Sequence, residues 1–343
     1  MEMDIEKFPD ILKKTEKDAI LLSLFSILLY QSGYFFIFFL VPLQFLRNKK
    51  GFMPMIQAVI MVIIMTLIIS VIKTNRLETF ALRSIMIISE VLLLIIMLLG
   101  FLYINYDWPG NPRMLKKLLI ATTGAFFIGI PALLIYNSTV FQNFYKSQIA
   151  AVLEIMSRAF SETKSSEAAD FAEMLKTVDV ETVYYMIKRT IMRSYLFLYF
   201  IMISGSWWIG GTKIINGKWN SRLNLTAFSL PEFMVWPLIM ALSIVVFDYK
   251  IKIGFLGYIG WNILLIIVTL YGLRGIGIIQ TLFLKLNVPR FIRLFIFVTI
   301  ALLLMQPDLK YIALIIVPGL GVSEIWINYK NIGEKKYDNE GNS

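Results

Sequence analysis

The sequence predicts an all-α, polytopic helical membrane protein with about ten hydrophobic spans (eight to ten), both termini cytoplasmic and one helical extracytoplasmic insert. The chain is 58% hydrophobic and 16% charged, whereas a soluble domain is about half apolar and a quarter charged. Its apolar residues occur in runs, recurring from residue 19 almost to residue 328. Runs of about 18 or more such residues are typical of transmembrane helices.

The first apolar block, 19–46, is interrupted by "QSG" at residues 31–33. A single helix of this length would extend roughly 42 Å, too long for a hydrocarbon core of about 30 Å, so we predict two short helices. The block 254–284 is also overlong, and its glycines 272, 275 and 277 predict a bend or break. The remaining predicted spans are 54–72, 82–104, 117–136, 192–211, 232–248, 290–306 and 308–325.

The distribution of Lys and Arg predicts the orientation. With a cytoplasmic N-terminus, the inner segments carry 19 basic residues and the short outer segments carry six, which agrees with the positive-inside rule. The predicted parts are a cytoplasmic N-terminal segment and a disordered cytoplasmic tail, with two groups of five spans between them separated by the insert. In chain order these parts are the N-terminal segment (1–18), the first five spans (19–137), the insert (138–191), the second five spans (192–328) and the tail (329–343).

The insert 138–191 departs from membrane composition. Between residues 141 and 160 its apolar residues recur at helical spacing and form one face. Asp179 is placed to cap the helix that follows. Residues 138–193 carry seven basic and seven acidic residues, so we do not expect a polybasic lipid-binding patch. The apolar face is suited to the membrane, to the protein's own helices or to a partner.

Composition also limits the chemistry. The chain has no Cys and no His, which removes thiolate nucleophiles, the usual zinc sites and the commonest general base near neutral pH. We find no paired carboxylates and no phosphate-binding loop, so we expect no enzyme activity, no metal and no cofactor. The net charge of +10 is interpreted as cytoplasmic loops facing anionic lipid, not as nucleic-acid binding.

Two charged residues fall inside predicted spans. Glu90 is a membrane-embedded acid, which suggests either a functional site or a structural pair, with Arg83 as one possible partner. Arg274 is suited to a structural ion pair or carbonyl clamp, to a ligand contact, or to a snorkelling position. We predict that Arg274 points into the bundle at a helix break. There it should bond backbone carbonyls or Glu324 and hold the C-terminal spans together.

Further polar residues in the spans are candidates for ligand contacts or for hydrogen bonds between helices: Gln31, Asn262 and Gln280. Ala19 and Ser23 form a small-xxx-small pair. Such a pair allows close packing with another helix, within this chain or in a partner subunit.

Several segments together resemble the YybS-like family of bacterial integral membrane proteins. They are "FFLVPLQFLRNKKG" (38–51), "FSLPEFMVWPLIMAL" (228–242), "LYGLRGIGIIQTLFLKLNVPRFIR" (270–293) and "IVPGLGVSEIWINYKN" (316–331). The resemblance covers about 19–331. The family usually has glutamine where Arg274 stands and aspartate where Glu324 stands. The front part is also distantly similar to the substrate-binding membrane subunits of energy-coupling-factor transporters, which dock to a partner through small residues on the first span.

The resemblance implies a multi-pass protein of the bacterial inner (plasma) membrane. The leading hypothesis is a non-enzymatic, small-molecule-binding or transport-associated subunit whose ligand is unidentified. Besides the lipid bilayer, its expected partner is another membrane subunit. The alternative is an envelope or division scaffold that docks partners through 138–191.

Overall fold

The computed structural model describes residues 8–75, 77, 79–110, 113–163, 165–211, 213–215, 218–220, 224–327 and 329. Within this part of the chain, almost all regular structure is α-helix, which confirms the predicted all-α class. The expected tail lies outside the described residues except for Tyr329. The chain divides into two compact units, and the first unit ends at Asn220.

The first unit contains nine α-helices and a small hairpin within the described residues. The helices are α1 (Phe8–Gln31), α2 (Leu40–Lys50), α3 (Phe52–Thr74), α4 (Phe80–Asn105), α5 (Met114–Ile128), α6 (Ile130–Tyr136), α7 (Thr139–Ser161), α8 (Ser166–Thr177) and α9 (Val180–Gly211). A 3₁₀ turn, Phe36–Phe38, precedes α2. The strands β1 (Lys213–Ile215) and β2 (Lys218–Asn220) pair antiparallel, in a region that we expected to be a loop.

The second unit is built from four helices in the described residues. They are α10 (Val235–Ile251), α11 (Phe255–Lys285), α12 (Arg290–Met305) and α13 (Lys310–Ser323), and a 3₁₀ turn, Glu232–Met234, leads into α10. Helix α11 packs against both α10 and α13, and α12 packs against α13. The unit is therefore organised around α11.

Four helical segments of the described chain are long and apolar enough to cross a membrane: Phe52–Thr74, Phe80–Asn105, Glu232–Ile251 and Phe255–Lys285. The pair α5 and α6 is bent by 43° and would count as a fifth. Each predicted span coincides with a helix. However, α2, α12 and α13 have only 11, 16 and 14 residues, and α1 begins in a charged sequence. The structure thus supports a helical membrane protein with four or five such helices.

Helix α2 forms the centre of the first unit. It is separated from α1 by the predicted interruption after Gln31 and packs against α1, α3 and α9. Leu40, Leu43 and Gln44 are fully buried. The helix ends at Gly51, whose φ of 100° favours glycine. The second of the two short helices predicted in 19–46 is therefore an 11-residue core helix.

The predicted break in 254–284 is wrong, because α11 runs unbroken for 31 residues. Its glycines allow close approach by other segments. A Cβ atom at Gly275 would lie 1.9 Å from the carbonyl oxygen of Val317 in α13, and one at Gly277 would lie 2.1 Å from that of Leu225. Because glycine has no side chain, other segments can pack closely against α11 at these positions, as small residues allow at membrane helix interfaces.

The insert is helical, as its periodicity predicts. Helices α7 and α8 pack on each other, and α7 also contacts α4 and α9. Lys146 forms an ion pair with Glu181 at 2.5 Å, and Lys188 donates a hydrogen bond to Asn137 at 2.7 Å. Asp179 caps α9 by accepting from the backbone N–H groups of Glu181 and Thr182, both at 3.1 Å. The insert is thereby attached to its own unit.

We predict that Gly321→Ala destabilises the protein by about 1–3 kcal/mol, the usual cost of overpacking. A Cβ at Gly321 would lie 2.1 Å from the carbonyl oxygen of Tyr271, so α13 would have to move away from α11. Thermal unfolding in detergent measures the change. Gly319→Ala on the same helix is the control, since its Cβ meets nothing within 4 Å. Equal melting temperatures for the two variants would contradict the packing argument.

A second prediction concerns the Asp179 cap. Hydrogen bonds from the Thr182 hydroxyl, and then from the two backbone N–H groups, lower the pKa of Asp179 below its ordinary value. The stabilisation is therefore present above about pH 4 and is lost as the pH falls through the lowered pKa. Amide exchange in the first turn of α9, corrected for its intrinsic rate, should accelerate at low pH. Asp179→Asn retains a capping residue without a titrating group and should show no such step.

Candidate functional site

The first candidate site is a group of polar side chains between α1, α3 and α4, which we call the Glu90 cluster: Tyr30, Gln31, Ser70, Lys73 and Glu90. Tyr30 and Gln31 are the last residues of α1, and Ser70 and Lys73 lie in the last turns of α3. Glu90 lies in the first half of α4. The cluster forms because α1 and α4 both pack against α3.

The Glu90 carboxylate is held by neutral donors. Its Oε1 accepts from Gln31 Nε2 at 3.3 Å, and its Oε2 accepts from the Ser70 hydroxyl at 2.7 Å. The Tyr30 hydroxyl donates to the Glu90 backbone carbonyl at 3.3 Å. Lys73 donates to Oε1 of Gln31. Gln31 therefore stands between an ammonium group and a carboxylate and bonds both of them.

The cluster is accessible from one side. Ser70 is fully buried, Glu90 and Gln31 are half-buried, and Lys73 is exposed. Charged groups within apolar helices usually face an interior or a cavity. The arrangement can bind a polar molecule that reaches it from the side of Lys73.

Aromatic residues extend the cluster toward the insert. Phe141, at the start of α7, has its ring 4.6 Å from that of Tyr136 and 4.4 Å from that of Tyr145, measured between centroids. Burial, and then the negative charge of Glu90, raise the pKa of the Tyr145 hydroxyl. The insert therefore contributes a tyrosine within electrostatic range of Glu90.

Arg83 is not the hydrogen-bond partner of Glu90. Its guanidinium donates to the carbonyls of Asn75 and Leu77 at 3.3 and 3.0 Å, within the turn that joins α3 and α4. The sequence placed Arg83 and Glu90 on one helix two turns apart, but the turn carbonyls are closer acceptors. The partners of Glu90 come from α1 and α3 instead.

The second polar site is the Arg274 clamp, formed by Arg274, Glu324 and two carbonyl groups. Arg274 lies on α11 and is 2% exposed. Its Nε and Nη2 donate to the two carboxylate oxygens of Glu324, just after α13. Its Nη1 donates to the carbonyls of Phe228 and, at 3.5 Å, of Thr226. The clamp joins α11, the end of α13 and the segment before α10.

The structure brings Arg274 and Glu324 together, as the sequence argument expects. It differs in the source of the carbonyls, which come from residues 226 and 228 instead of a break in α11. Five donors in a planar fork suit this combination of a bidentate carboxylate and carbonyls. The contacts agree with the clamp interpretation of Arg274, whereas a ligand role stays a prediction.

The other predicted residues lie elsewhere. Asn262 is buried on α11 and donates to the Tyr258 carbonyl at 2.8 Å. Gln280 is half-buried on α11, and the described contacts place it in neither cluster. Ala19 and Ser23 are buried on α1, where the Ser23 hydroxyl lies 3.0 Å from the Met61 sulfur of α3. These small residues pack within the chain.

Sequence reasoning missed a buried amide pair. Gln44 and Asn105 exchange two hydrogen bonds, both 2.9 Å, and so link α2 to α4. Each residue stands near the C-terminal end of an apolar run, and polar residues at corresponding positions of two runs were the available signal. Asp248, 4% exposed on α10, was also missed, although it is the last residue of the predicted span 232–248.

Comparisons with protein-family models, with curated proteins and with solved structures each gave no match for this chain. The function is therefore argued from the geometry of the two sites.

We predict that Arg274→Leu destabilises the protein by about 3–5 kcal/mol, the usual cost of removing one partner of a buried ion pair. It leaves the Glu324 carboxylate and two carbonyls without their donor. Replacing Glu324 by Leu as well should recover part of the loss, because two apolar side chains can substitute for such a pair. Arg274→Gln, the residue usual in the similar family, should be tolerated better than Arg274→Leu.

Thermal unfolding of five proteins measures these differences: the wild type, Arg274→Leu, Arg274→Gln, Glu324→Leu and the double Leu variant. A double variant that is less stable than either single variant would show that the two residues do not act as a pair.

Proposed function

We propose that this chain is a small-molecule-binding or transport-associated subunit of the bacterial inner membrane, and that the Glu90 cluster binds the ligand. The observation that carries this proposal is the carboxylate of Glu90, placed among apolar helices and held by the neutral donors Gln31 and Ser70. Such a group is costly, and intramembrane acids commonly mark substrate or ion paths. The Arg274 clamp, in contrast, has its donors occupied by protein acceptors.

We propose ten spans with both termini in the cytoplasm. Two observations support this topology: every predicted apolar run coincides with a helix, and the basic residues favour the inner segments. In this topology the end of α1, the end of α3 and the insert all lie on the outer side. The Glu90 cluster then opens outward beside the insert, which suits a protein that takes its ligand from outside the cell.

The resemblances seen in the sequence agree with this proposal. A YybS-like protein similar to the binding subunits of energy-coupling-factor transporters would carry no nucleotide site and would depend on a membrane partner for energy. It would not be an enzyme. Because Ala19 and Ser23 are buried in the chain and the Ser23 hydroxyl contacts Met61 of α3, the partner would have to dock elsewhere.

The alternative function is an envelope or division scaffold that docks a partner through 138–191. One observation favours it: the insert exposes large apolar side chains, among them Val152 (53%), Ile155 (67%) and Met174 (54%). Co-purification of an envelope protein that depends on these three residues, with no ligand bound at Glu90, would select this function.

The test is mass spectrometry of small molecules that remain on the purified protein. We predict that a molecule is retained by the wild type and is lost from Glu90→Gln, because the amide removes the negative charge while preserving shape. Glu232→Gln is the control, since it makes the same chemical change on an exposed acid outside the cluster. Melting temperatures of both variants report whether folding is intact.

Retention of the same molecule by a folded Glu90→Gln protein would contradict the proposed site. Absence of any retained molecule, with unchanged function of Glu90→Gln in cells, would contradict the proposed function.

A further inference from the structure

We propose that the ligand of the Glu90 cluster is a small zwitterion, an α-amino acid or a close analogue, and that the side-chain amide of Gln31 occupies the position of its charged head group. This inference rests on the proposed function and adds the chemical class of the ligand.

The first argument is the order of the hydrogen bonds. Gln31 donates from its amide nitrogen to the Glu90 carboxylate and accepts at its amide oxygen from the Lys73 ammonium. An α-amino acid has the same order of groups, because its ammonium donates and its carboxylate accepts. In the amide the nitrogen and the oxygen are two bonds apart, through one carbon, and in the amino acid they are three bonds apart, through two carbons. The amino acid can therefore bridge Glu90 and Lys73 as Gln31 does, with two full charges in place of two dipoles.

The second argument is charge balance. Glu90 and Lys73 together are neutral, and they are separated by one amide group. A ligand with a single charge would leave a net charge among apolar helices, which is unfavourable. A zwitterion keeps the site neutral, because its ammonium group lies against Glu90 and its carboxylate lies against Lys73. Each bond that the zwitterion makes then has two charged partners, whereas each bond of Gln31 that it replaces has one.

The third argument is the aromatic surroundings. Tyr30 bonds the Glu90 backbone, and Tyr145 lies close enough for the charge of Glu90 to act on its hydroxyl. Phe141 packs between Tyr136 and Tyr145. Cations are attracted to aromatic faces, so these tyrosines in the surroundings favour a ligand with an ammonium group.

The position of Gln31 allows it to give way. It is the last residue of α1 and is half-buried. The chain after it turns through Gly33, whose φ is 72°. A side chain at the end of a helix can change its rotamer without disturbing the helix. In the free protein the Gln31 amide thus hydrogen-bonds both Glu90 and Lys73, and it rotates away when the ligand binds.

The experiment uses the purified full-length protein in detergent with an equimolar mixture of the twenty L-amino acids. Bound compounds are identified by mass spectrometry, and the affinity of each retained compound is measured by calorimetry. We expect one or a few amino acids to be retained. Their decarboxylated and deaminated analogues, which have only one of the two charges, should bind at least tenfold more weakly.

Three variants separate the roles of the residues. Gln31→Ala removes the competing amide and should bind the retained amino acid at least as tightly as the wild type does. Glu90→Gln and Lys73→Met should each weaken binding at least tenfold. Gln57→Ala, a change of the same type at an exposed position of α3, should have no effect.

The proposal is overturned if none of the twenty amino acids is retained, or if a one-charge analogue binds as well as the parent amino acid. It is also overturned if folded Gln31→Ala loses binding, since Gln31 would then contact the ligand instead of standing in its place. These outcomes leave the proposed function testable by itself. A different molecule that co-purifies and depends on Glu90 would support a binding subunit while excluding a zwitterion.

Discussion

Hydrogen-bonding groups within apolar helices must find their partners inside the protein, because lipid offers none. This constraint explains several long-range hydrogen bonds that the structure describes. Gln44 and Asn105 satisfy each other and link α2 to α4. Arg274 takes a carboxylate and two carbonyls from segments far away in the sequence. The polar residues therefore determine which helices meet, while the apolar residues fill the space between them.

The two charged sites satisfy this constraint in different ways, which is why we treat Arg274 as a structural residue and Glu90 as the candidate binding residue. Arg274 is 2% exposed, and its partners include a full opposite charge. Its position is fixed by the fold. Glu90 is only half-buried and is held by an amide and a hydroxyl, with the nearby ammonium of Lys73 bonded to that amide. Neutral donors satisfy a carboxylate less strongly than a cation does, so Glu90 keeps the capacity to bind a charged group.

Sequence reasoning predicted the helices and the interruption after Gln31, because these depend on local apolar runs. It also predicted the contact of Arg274 with Glu324, because a buried charge is costly without a partner. It failed at α11, where glycines that look like helix breakers are sites of close approach to Val317 and Leu225. It also missed the contact between Gln31 and Lys73. One sequence gives the depth of each residue along its helix but not the direction in which each helix turns, and contacts between helices depend on both.

The insert illustrates how the two candidate functions are related in one unit. In the insert Phe141 packs against Tyr136 and Tyr145. The ion pair of Lys146 with Glu181 holds α7 beside α9, and the bond of Lys188 to Asn137 holds α9 beside the end of α6. A polar site among apolar helices needs a cover that excludes lipid and still admits a ligand. The contact of α7 with α4 brings the insert against the helix that carries Glu90, whereas Ile155 and Met174 remain exposed. A partner bound to those exposed residues would contact the segment that borders the Glu90 cluster, so docking and ligand binding would act on the same helices.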